Sequence, residues 1–309
     1  MSNHEKPNEP GWLLTVDPAN DGARLDRFIS SRIPRLSRAR AARLEVVELS
    51  APTKPLKKST AVRAGQRLWA RRPVPDPNTA PFEPDILHEE EGLLVLNKPP
   101  GVAIHPTASR FMATITYWLA TKPQFAHLSP AHRLDVETSG VLICCDKKTL
   151  KPVSAAFSKQ EVKKTYVAVL AGLPHSDQWI VDRPLGLVEN HPSRVLMGPG
   201  SLPAITRYSV QARRNGRTLV HALPTTGRQH QIRVHAQMSG YPLVGDKLYG
   251  AAPALFIASK ERKLTAQEWR TLGHTRQALH AFKASLCING EQREFSAPVP
   301  VELLALMDD

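Results

Sequence analysis

Short runs of apolar or alternating residues, separated by turn residues, dominate the chain from residue 85 onward. Such runs, bounded by Gly, Pro, Asn or Asp, are typical of strands. Two stretches carry helical spacing, at residues 114–120 and at about 150–159, where Pro152 is tolerable only in a first turn. Strands without regularly intervening helices indicate a mixed, mainly antiparallel α+β domain. The predicted strands are residues 93–97, 141–145, 165–170, 218–223, 231–235 and 279–288.

Residues 231–235 alternate between polar and apolar positions. A strand period of two puts Gln231, Arg233 and His235 on one face and the apolar residues between them on the other. We therefore expect Arg233 to reach into a cleft from a rigid strand. His230 and His235 are an odd number of residues apart and would point opposite ways, which disfavours a shared metal. Both are interpreted as substrate contacts.

The first part of the chain has the pattern of a small helix-and-strand module. Apolar residues between Leu25 and Ile33 have helical spacing, which stops at Pro34. Ser37 is a candidate N-cap for a second, basic helix at residues 38–44. Residues 62–69 then predict a turn followed by a short strand.

A proline-rich segment divides the chain. Residues 73–84 contain five prolines in twelve positions and predict an extended, semi-rigid linker. Residues 1–11 are polar and contain prolines, which predicts a disordered leader. The predicted domains are therefore a module at 12–72 and a larger domain at 85–309.

Basic charge is concentrated in the N-terminal module. The formal charge of the 309 residues is +13, and residues 24–72 alone contribute +11, from fourteen Lys or Arg against three acidic residues. This asymmetry favours a polyanionic partner docked on the module. A membrane surface is the rival partner, but no run approaches about 18 apolar residues, and residues 1–10 lack the apolar core of a signal peptide. We expect a cytoplasmic protein with no membrane partner.

The sequence offers no familiar cofactor or metal motif. Cys144, Cys145 and Cys287 form no CxxC pair, so neither structural disulfides nor a zinc knuckle is expected. Neither G-x-x-x-x-G-K-[ST] nor G-x-G-x-x-G occurs, so a bound nucleotide cofactor is not implied.

The strongest candidate for chemistry is the segment 132–140, His-Arg-Leu-Asp-Val-Glu-Thr-Ser-Gly. Its Thr-Ser-Gly turn precedes an apolar strand and tips Asp135 into a cleft. Without further motifs, Arg133 and Asp135 would be interpreted as an ordinary surface ion pair. The segment also partly matches the patterns of two other enzyme classes. The D-x-D-x-T pattern of aspartyl-phosphate phosphatases has Glu137 in its third position here, and a glycosidase pair is disfavoured because aromatic residues make up only 6%.

The segment HRLD-x-x-TSG resembles the signature of the RluA-type pseudouridine synthases, in which the Asp is the catalytic carboxylate. Further segments follow the order of the same family, so the resemblance covers roughly residues 84–300. The N-terminal module similarly resembles the alpha-L RNA-binding module of the ribosomal-protein S-four type. The segments that carry the main resemblance lie at 85–106, 132–140, 164–169, 226–235 and 245–250.

The resemblance implies a pseudouridine synthase fold of the α+β class, with a small N-terminal α/β RNA-binding module. It implies isomerisation of uridine in RNA to pseudouridine, without cofactor or metal. Asp135 would attack the sugar or remove a ribose proton, and both remain open. Tyr166 would stack on the uracil and, as a second role, relay the proton that leaves C5 of the uracil. Arg233 would keep Asp135 ionised by lowering the pKa of Asp135.

The resemblance also implies RNA contacts. Arg133 would fill the gap left by a flipped nucleotide or bind its phosphates. The expected target is large-subunit (23S) ribosomal RNA, modified by a monomer; the alternatives are transfer RNA or a catalytically silent RNA-binding protein. The other predicted cleft contacts are His132, Lys98, His105, Arg228, His230 and Gln231, and those of the basic module are Arg35, Arg38, Arg40, Arg43, Lys57 and Lys58.

Overall fold

The computed structural model describes residues 11–34, 36, 41, 44–51, 55–71, 82–106, 113–189, 191, 195–261, 263–288 and 290–308. The chain separates into two compact units, residues 1–80 and 81–309. Most of the predicted linker, at 73–81, lies outside the described residues, as do Ser37 and most of the predicted second helix. Gly11, which we assigned to the leader, is instead the first residue of a strand.

The first unit contains a three-stranded antiparallel sheet and a helix. The strands are β1 (Gly11–Thr15), β2 (Glu45–Glu48) and β3 (Arg67–Arg71), in the order β1-β3-β2. Helix α1 (Leu25–Arg32) forms where the apolar spacing predicts it and ends before Pro34. Its apolar face packs on the sheet in a small core of its own, which includes Phe28, Ile29, Val46, Val62 and Leu68.

The second unit is built around a ten-stranded sheet, and the predicted α+β class is confirmed. Its order is β4-β5-β7-β14-β8-β13-β12-β9, with β6 paired to β7 and β15 to β14. Every pairing is antiparallel except that of β7 with β14. The strands are β4 (Asp85–Glu90), β5 (Leu93–Lys98), β6 (Ser129–Pro130), β7 (Ser139–Cys145), β8 (Lys163–Ala171), β9 (Gln178–Asp182), β12 (Ile205–Arg214), β13 (Arg217–Pro224), β14 (Leu279–Ile288) and β15 (Glu291–Ser296).

Among its described residues, this unit also contains a separate two-stranded ribbon and six helices. The ribbon pairs β10 (Leu185–Leu187) with β11 (Met197–Pro199). Apolar side chains on the two faces of the large sheet form separate core clusters, one of them under α3. The helices are α2 (Ile115–Thr121), α3 (Lys147–Ser158), α4 (Gln231–Met238), α5 (Pro253–Glu261), α6 (Ala266–Leu272) and α7 (Val301–Ala305).

The parallel contact between β7 and β14 fixes the loop that precedes β7. There Ser139 pairs with His280 and Gly140 with Ala281. Gly140 has a φ of 109°, and a Cβ at this position would collide with the Ala281 carbonyl. Only glycine suits this close approach of two backbones. The Thr-Ser-Gly turn therefore anchors residues 132–138 at the middle of the sheet.

The predicted strand at 231–235 is wrong, because these residues form the first part of α4. Residues 231–236 are all buried, so polar and apolar positions do not separate into two faces. Five residues also span little more than one helical turn, which is too short to distinguish the two periods.

The position predicted for Pro152 is also wrong. Helix α3 begins at Lys147, capped by the Asp146 side chain, so Pro152 lies in its interior rather than in its first turn. A proline there cannot donate to the carbonyl of Lys148. Both residues are exposed, which leaves that carbonyl accessible to water.

Candidate active site

A cleft of about 590 Å³ opens where the loop before β7, strand β8 and the N-terminal end of α4 converge. The cleft brings together most of the residues that the sequence singled out, from three separate parts of the chain. Those that line it are His132, Arg133, Asp135, Tyr166, Arg228, His230, Gln231 and Arg233.

Asp135 and Arg233 form an ion pair in this cleft. The Arg233 Nη1 atom donates to Asp135 Oδ2 at 2.9 Å, and the Asp135 side chain is only 19% exposed. The prediction that Arg233 reaches Asp135 is correct in its outcome, although Arg233 does so from the first turn of a helix rather than from a strand.

Arg233 is itself held by a second carboxylate. Its Nε and Nη2 atoms donate to the two carboxylate oxygens of Asp246 at 2.7 and 2.9 Å. Asp246 is almost completely buried and also accepts backbone N–H groups from Leu248 and Tyr249 at 2.9 and 3.1 Å. A guanidinium clamped bidentately has little freedom to rotate. Asp246 therefore fixes the direction from which Arg233 approaches Asp135.

This arrangement sets the charges of the site. Burial opposes ionisation of Asp135, but the Arg233 charge and the hydrogen bonds from Arg233 and Gln277 outweigh it, so its pKa lies below the usual value. Burial likewise disfavours the Arg233 cation, but Asp246 and Asp135 raise its pKa above the usual value. Asp135 is therefore an ionised carboxylate at neutral pH.

Hydrogen bonds from Gln277 and Lys98 hold the loop that carries Asp135 in place. The Gln277 amide donates to Thr138 Oγ1 at 2.7 Å and lies 3.5 Å from Asp135 Oδ2. The Lys98 ammonium donates to the carbonyls of Pro99, Val102 and Val136. Because Lys98 is fully buried, the prediction that it contacts RNA phosphates is wrong, and its role is to tie the loop to β5.

His230 contacts both the ion pair and Tyr249. The Met197 N–H donates to Tyr249 Oη at 2.9 Å, and Tyr249 Oη lies 2.9 Å from His230 Nδ1. We infer that Nδ1 accepts the phenol proton, because this buried proton has no other recorded acceptor among the described residues. The proton of neutral His230 then resides on Nε2, which lies 3.8 Å from Asp135 Oδ1. Burial and the nearby Arg233 charge lower the pKa of His230 to about 4, so the ring is neutral at pH 7.

Tyr166 forms an aromatic wall of the cleft. Its ring packs against apolar clusters on both sides of β8. Burial, followed by the Asp135 charge, raises the pKa of Tyr166 well above its usual value. The phenol therefore keeps its proton at neutral pH, which favours stacking on a planar ring over action as a base.

Two more predicted contacts are wrong because their side chains serve the interior. The buried Gln231 amide bonds to Thr226 and Thr206, which closes the turn before α4. His235 is completely buried, and its ring bonds to Thr206 Oγ1 and to the Arg183 carbonyl. Neither side chain has a polar group left for a ligand.

The remaining cleft predictions lie at or near the mouth. Arg133 is exposed beside Asp135, and Arg228 is partly tied, its Nε donating to the Pro203 carbonyl at 3.0 Å. His132 lines the cleft, but its Nε2 accepts from the Ile143 N–H at 3.0 Å. His105 is exposed and does not line the cleft, although partial burial and the Arg133 charge lower its pKa.

The predicted basic contacts of the first unit are described only in part. Lys57 and Lys58 are exposed. Arg35, Arg38, Arg40 and Arg43 lie outside the described residues.

Sequence reasoning missed several residues that shape the cleft. Asp246 and Tyr249 occur in the quoted segment 245–250, but nothing local distinguishes their side chains from ordinary turn residues. Gln277 precedes a predicted strand without any motif. Lys164 stands two residues before Tyr166, and the strand period alone places it on the same face.

Neither a metal site nor a membrane helix is found in the part of the chain that the structure describes. No group of three or more His, Cys, Asp or Glu side chains there is arranged to hold a metal ion. Among the same residues, no helix is long and apolar enough to cross a membrane.

An ionised, half-buried carboxylate with a fixed cationic partner, beside an aromatic wall, is typical of an enzyme site. Comparisons with known proteins agree. Residues 92–238 match the family model described as RNA pseudouridylate synthase. The chain is 31% identical to the ribosomal large subunit pseudouridine synthase C of Vibrio parahaemolyticus, over 94% of each chain. It is 30% identical to the ribosomal large subunit pseudouridine synthase D of Nitrosomonas europaea, over 97% of this chain and 88% of that protein.

Solved structures give the same result. The human RNA pseudouridylate synthase domain containing 1 covers 72% of this chain and 87% of its own, with 25% identity and a TM-score of 0.59. The chain belongs to the RNA pseudouridylate synthase family, in its RluA branch, and is an isomerase that converts uridine into pseudouridine.

Proposed function

We propose that this protein isomerises specific uridines in large-subunit ribosomal RNA, with Asp135 as the reacting carboxylate. The observation that carries the proposal is the ion pair of Asp135 with Arg233, at 2.9 Å in the cleft. It keeps Asp135 ionised although its side chain is only 19% exposed. The large-subunit target is supported by the names of two relatives that span most of this chain.

The reaction rearranges one nucleotide without adding or removing atoms. The bond between N1 of uracil and C1′ of the ribose breaks, the uracil turns while bound, and C5 joins C1′. The C5 proton is then lost and N1 gains a proton, so the product is an isomer of the substrate. Asp135 either adds to C1′ or removes a ribose proton, and each route needs its carboxylate ionised. The Tyr166 ring retains the freed base by stacking, in a cleft that limits its escape.

The target base must leave its stack to reach Asp135. Extrusion costs least in a loop or single strand, where the base is not paired. Arg133 is exposed at the mouth of the cleft two residues before Asp135, so its guanidinium is placed to fill the gap in the RNA or to bind the phosphates beside it. His230 offers its Nε2–H group beside the same carboxylate.

The N-terminal unit is proposed to be an alpha-L RNA-binding module that holds the RNA near the cleft. Its charge and the exposed Lys57 and Lys58 support this assignment. Such a module adds affinity that is independent of sequence and sensitive to salt. We propose that the protein acts as a monomer in the cytoplasm, where ribosomal RNA is found.

The deciding experiment is tritium release from RNA labelled at C5 of uracil. The wild-type protein, without added cofactor, is expected to release tritium from large-subunit ribosomal RNA, and Asp135→Asn is expected to release none. Release from transfer RNA alone would replace the proposed target with the alternative one. RNA binding without any release by the wild-type protein would leave only a silent RNA-binding protein. Mapping pseudouridine in cells that lack the gene then identifies the uridine.

A further inference from the structure

Lys164 is a cation in the cleft that the reaction described above does not use. It lies on β8, and because side chains alternate along a strand it shares a face with Tyr166. Both side chains line the cleft. The Lys164 Nζ atom donates to the Thr226 carbonyl at 3.2 Å. No carboxylate in the described ranges forms an ion pair with Lys164.

Two other lysines near the site are neutralised or fully bonded. Lys98 is surrounded by three carbonyl oxygens. The Lys247 ammonium forms an ion pair with Glu137 at 2.8 Å. Lys164, by contrast, has one recorded acceptor for three N–H donors, and burial lowers its pKa to about 8. A partly buried ammonium without a counter-charge is costly, and an anion bound in the cleft would remove that cost.

We propose that Lys164 binds a backbone phosphate of the RNA next to the target uridine. This rests on the proposed function, since the uracil is taken to stack on Tyr166. Positions 164 and 166 are separated by about 7 Å along the strand, which is comparable with the distance from a base to the phosphates of its own nucleotide. An ammonium on this face meets the backbone while the ring meets the base.

Lys164 and Arg133 serve different parts of the cleft. Lys164 lies on β8 and donates to the Thr226 carbonyl, whereas Arg133 is exposed on the loop before β7. We therefore expect the two cations to meet two different phosphates, or a phosphate and the gap left by the flipped base.

The first test combines a variant with a neutralised phosphate. Synthetic RNA around the modified uridine is prepared with one methylphosphonate at a time at the flanking linkages. With wild-type protein, one linkage is expected to weaken binding and raise KM about tenfold, with little change in kcat. With Lys164→Met that linkage is expected to have no further effect, because the contact is already lost. The salt slope of binding should also fall by about 0.7.

The neighbouring lysine is the matched control. Lys163 is exposed and lies on the other face of β8, so Lys163→Met is expected to keep the methylphosphonate penalty in full. If the loss of affinity from Lys164→Met adds in full to the loss from the methylphosphonate at every linkage, Lys164 contacts none of these phosphates. When the wild-type protein turns over RNA normally, this result overturns the phosphate contact but leaves the proposed function intact. Absence of wild-type turnover on every uridine-containing RNA overturns the proposed function and this inference together.

The second test uses pH. A phosphate requires the protonated ammonium, so wild-type affinity for the same RNA is expected to fall by up to about tenfold between pH 7 and pH 9. The RNA affinity of Lys164→Arg should not change over this range, once the effect of RNA titration, which is common to both proteins, is subtracted. Equal profiles overturn the inference, and circular dichroism checks that each variant is folded.

The cleft groups with shifted pKa values do not titrate in this window. The carboxyl of Asp135 and the rings of His132 and His230 have lowered pKa values. The pKa values of Tyr166 and Arg233 are raised.

Discussion

The hydroxyl of Tyr249 lies 2.9 Å from His230 Nδ1 and decides which nitrogen of that ring carries the proton. Tyr249 Oη accepts the Met197 N–H, and we infer that its own buried proton is donated to Nδ1, its one recorded acceptor among the described residues. His230 adopts a left-handed backbone conformation, with a φ of 55°, at the start of α4. Such a conformation in a non-glycine residue is held by its surroundings. The network thus presents an N–H group toward Asp135.

Replacing Tyr249 by Phe should free His230 to adopt the other tautomer. We expect kcat to fall about tenfold, which corresponds to about 1.4 kcal/mol and to the loss of one hydrogen bond. Nitrogen NMR of labelled histidine should show the His230 proton moving from Nε2 toward Nδ1. A lower kcat with an unchanged tautomer would contradict this account. His235, whose bonds to Thr206 and Arg183 are untouched, provides the internal reference.

Asp246→Asn should destabilise the fold as well as the reaction. The substitution leaves the buried Arg233 cation with a single carboxylate partner, and removal of one partner of a buried pair costs about 3–5 kcal/mol. Urea unfolding should report this loss in the free energy of unfolding. The double variant Arg233→Met, Asp246→Leu should recover most of the stability but none of the activity. Full activity in Asp246→Asn would show that Asp246 does not position Arg233.

The fall of kcat/KM at acid pH should depend on Arg233. The pKa of Asp135 lies below its usual value, so wild-type kcat/KM should stay level as pH falls from 7 to 5 and drop only below the ordinary Asp range. In Arg233→Gln the carboxylate keeps its burial but loses its cation. We expect the fall to move to higher pH by roughly 1 to 3. A fall at unchanged pH would mean that another group sets it.

The free energy of unfolding should also fall at acid pH. Asp135 and Asp246 both have a pKa below the unfolded value, so their contribution is present above that value and is lost as pH falls through the folded pKa values. Urea midpoints measured below pH 4 should therefore fall more steeply in the wild-type protein than in Arg233→Met, Asp246→Leu.

Gly140→Ala should abolish folding of the large unit. Its φ of 109° and the collision of a Cβ with Ala281 leave no room for a methyl group between β7 and β14. The expected cost exceeds about 4 kcal/mol. Gly216→Ala is the control, because Gly216 has a φ of +73° but nothing within 4 Å of the added atom, and should cost only about 1–2 kcal/mol. Thermal unfolding compares the two.

Deletion of residues 1–80 should separate binding from catalysis. The remaining unit has its own core, so it is expected to stay folded and to turn over RNA with a higher KM. Its binding should also depend less steeply on salt, because phosphate contacts made by the basic unit are lost. Retention of the full salt slope would argue against an RNA-binding role for that unit, and unfolding of residues 81–309 would refute the proposed domain boundary.

Sequence patterns alone predicted the class of fold, five of the ten strands of the large sheet and the placing of Asp135 in a cleft. Strand β14 has the predicted bounds, Leu279–Ile288, because strand period and turn residues are local signals. The segment 231–235 misled because burial on all sides erases periodicity. Three roles became visible only in the folded protein: Lys98 holds a loop, Asp246 clamps Arg233, and Tyr249 contacts His230. These roles depend on contacts and burial between residues far apart in the chain, which no local pattern encodes.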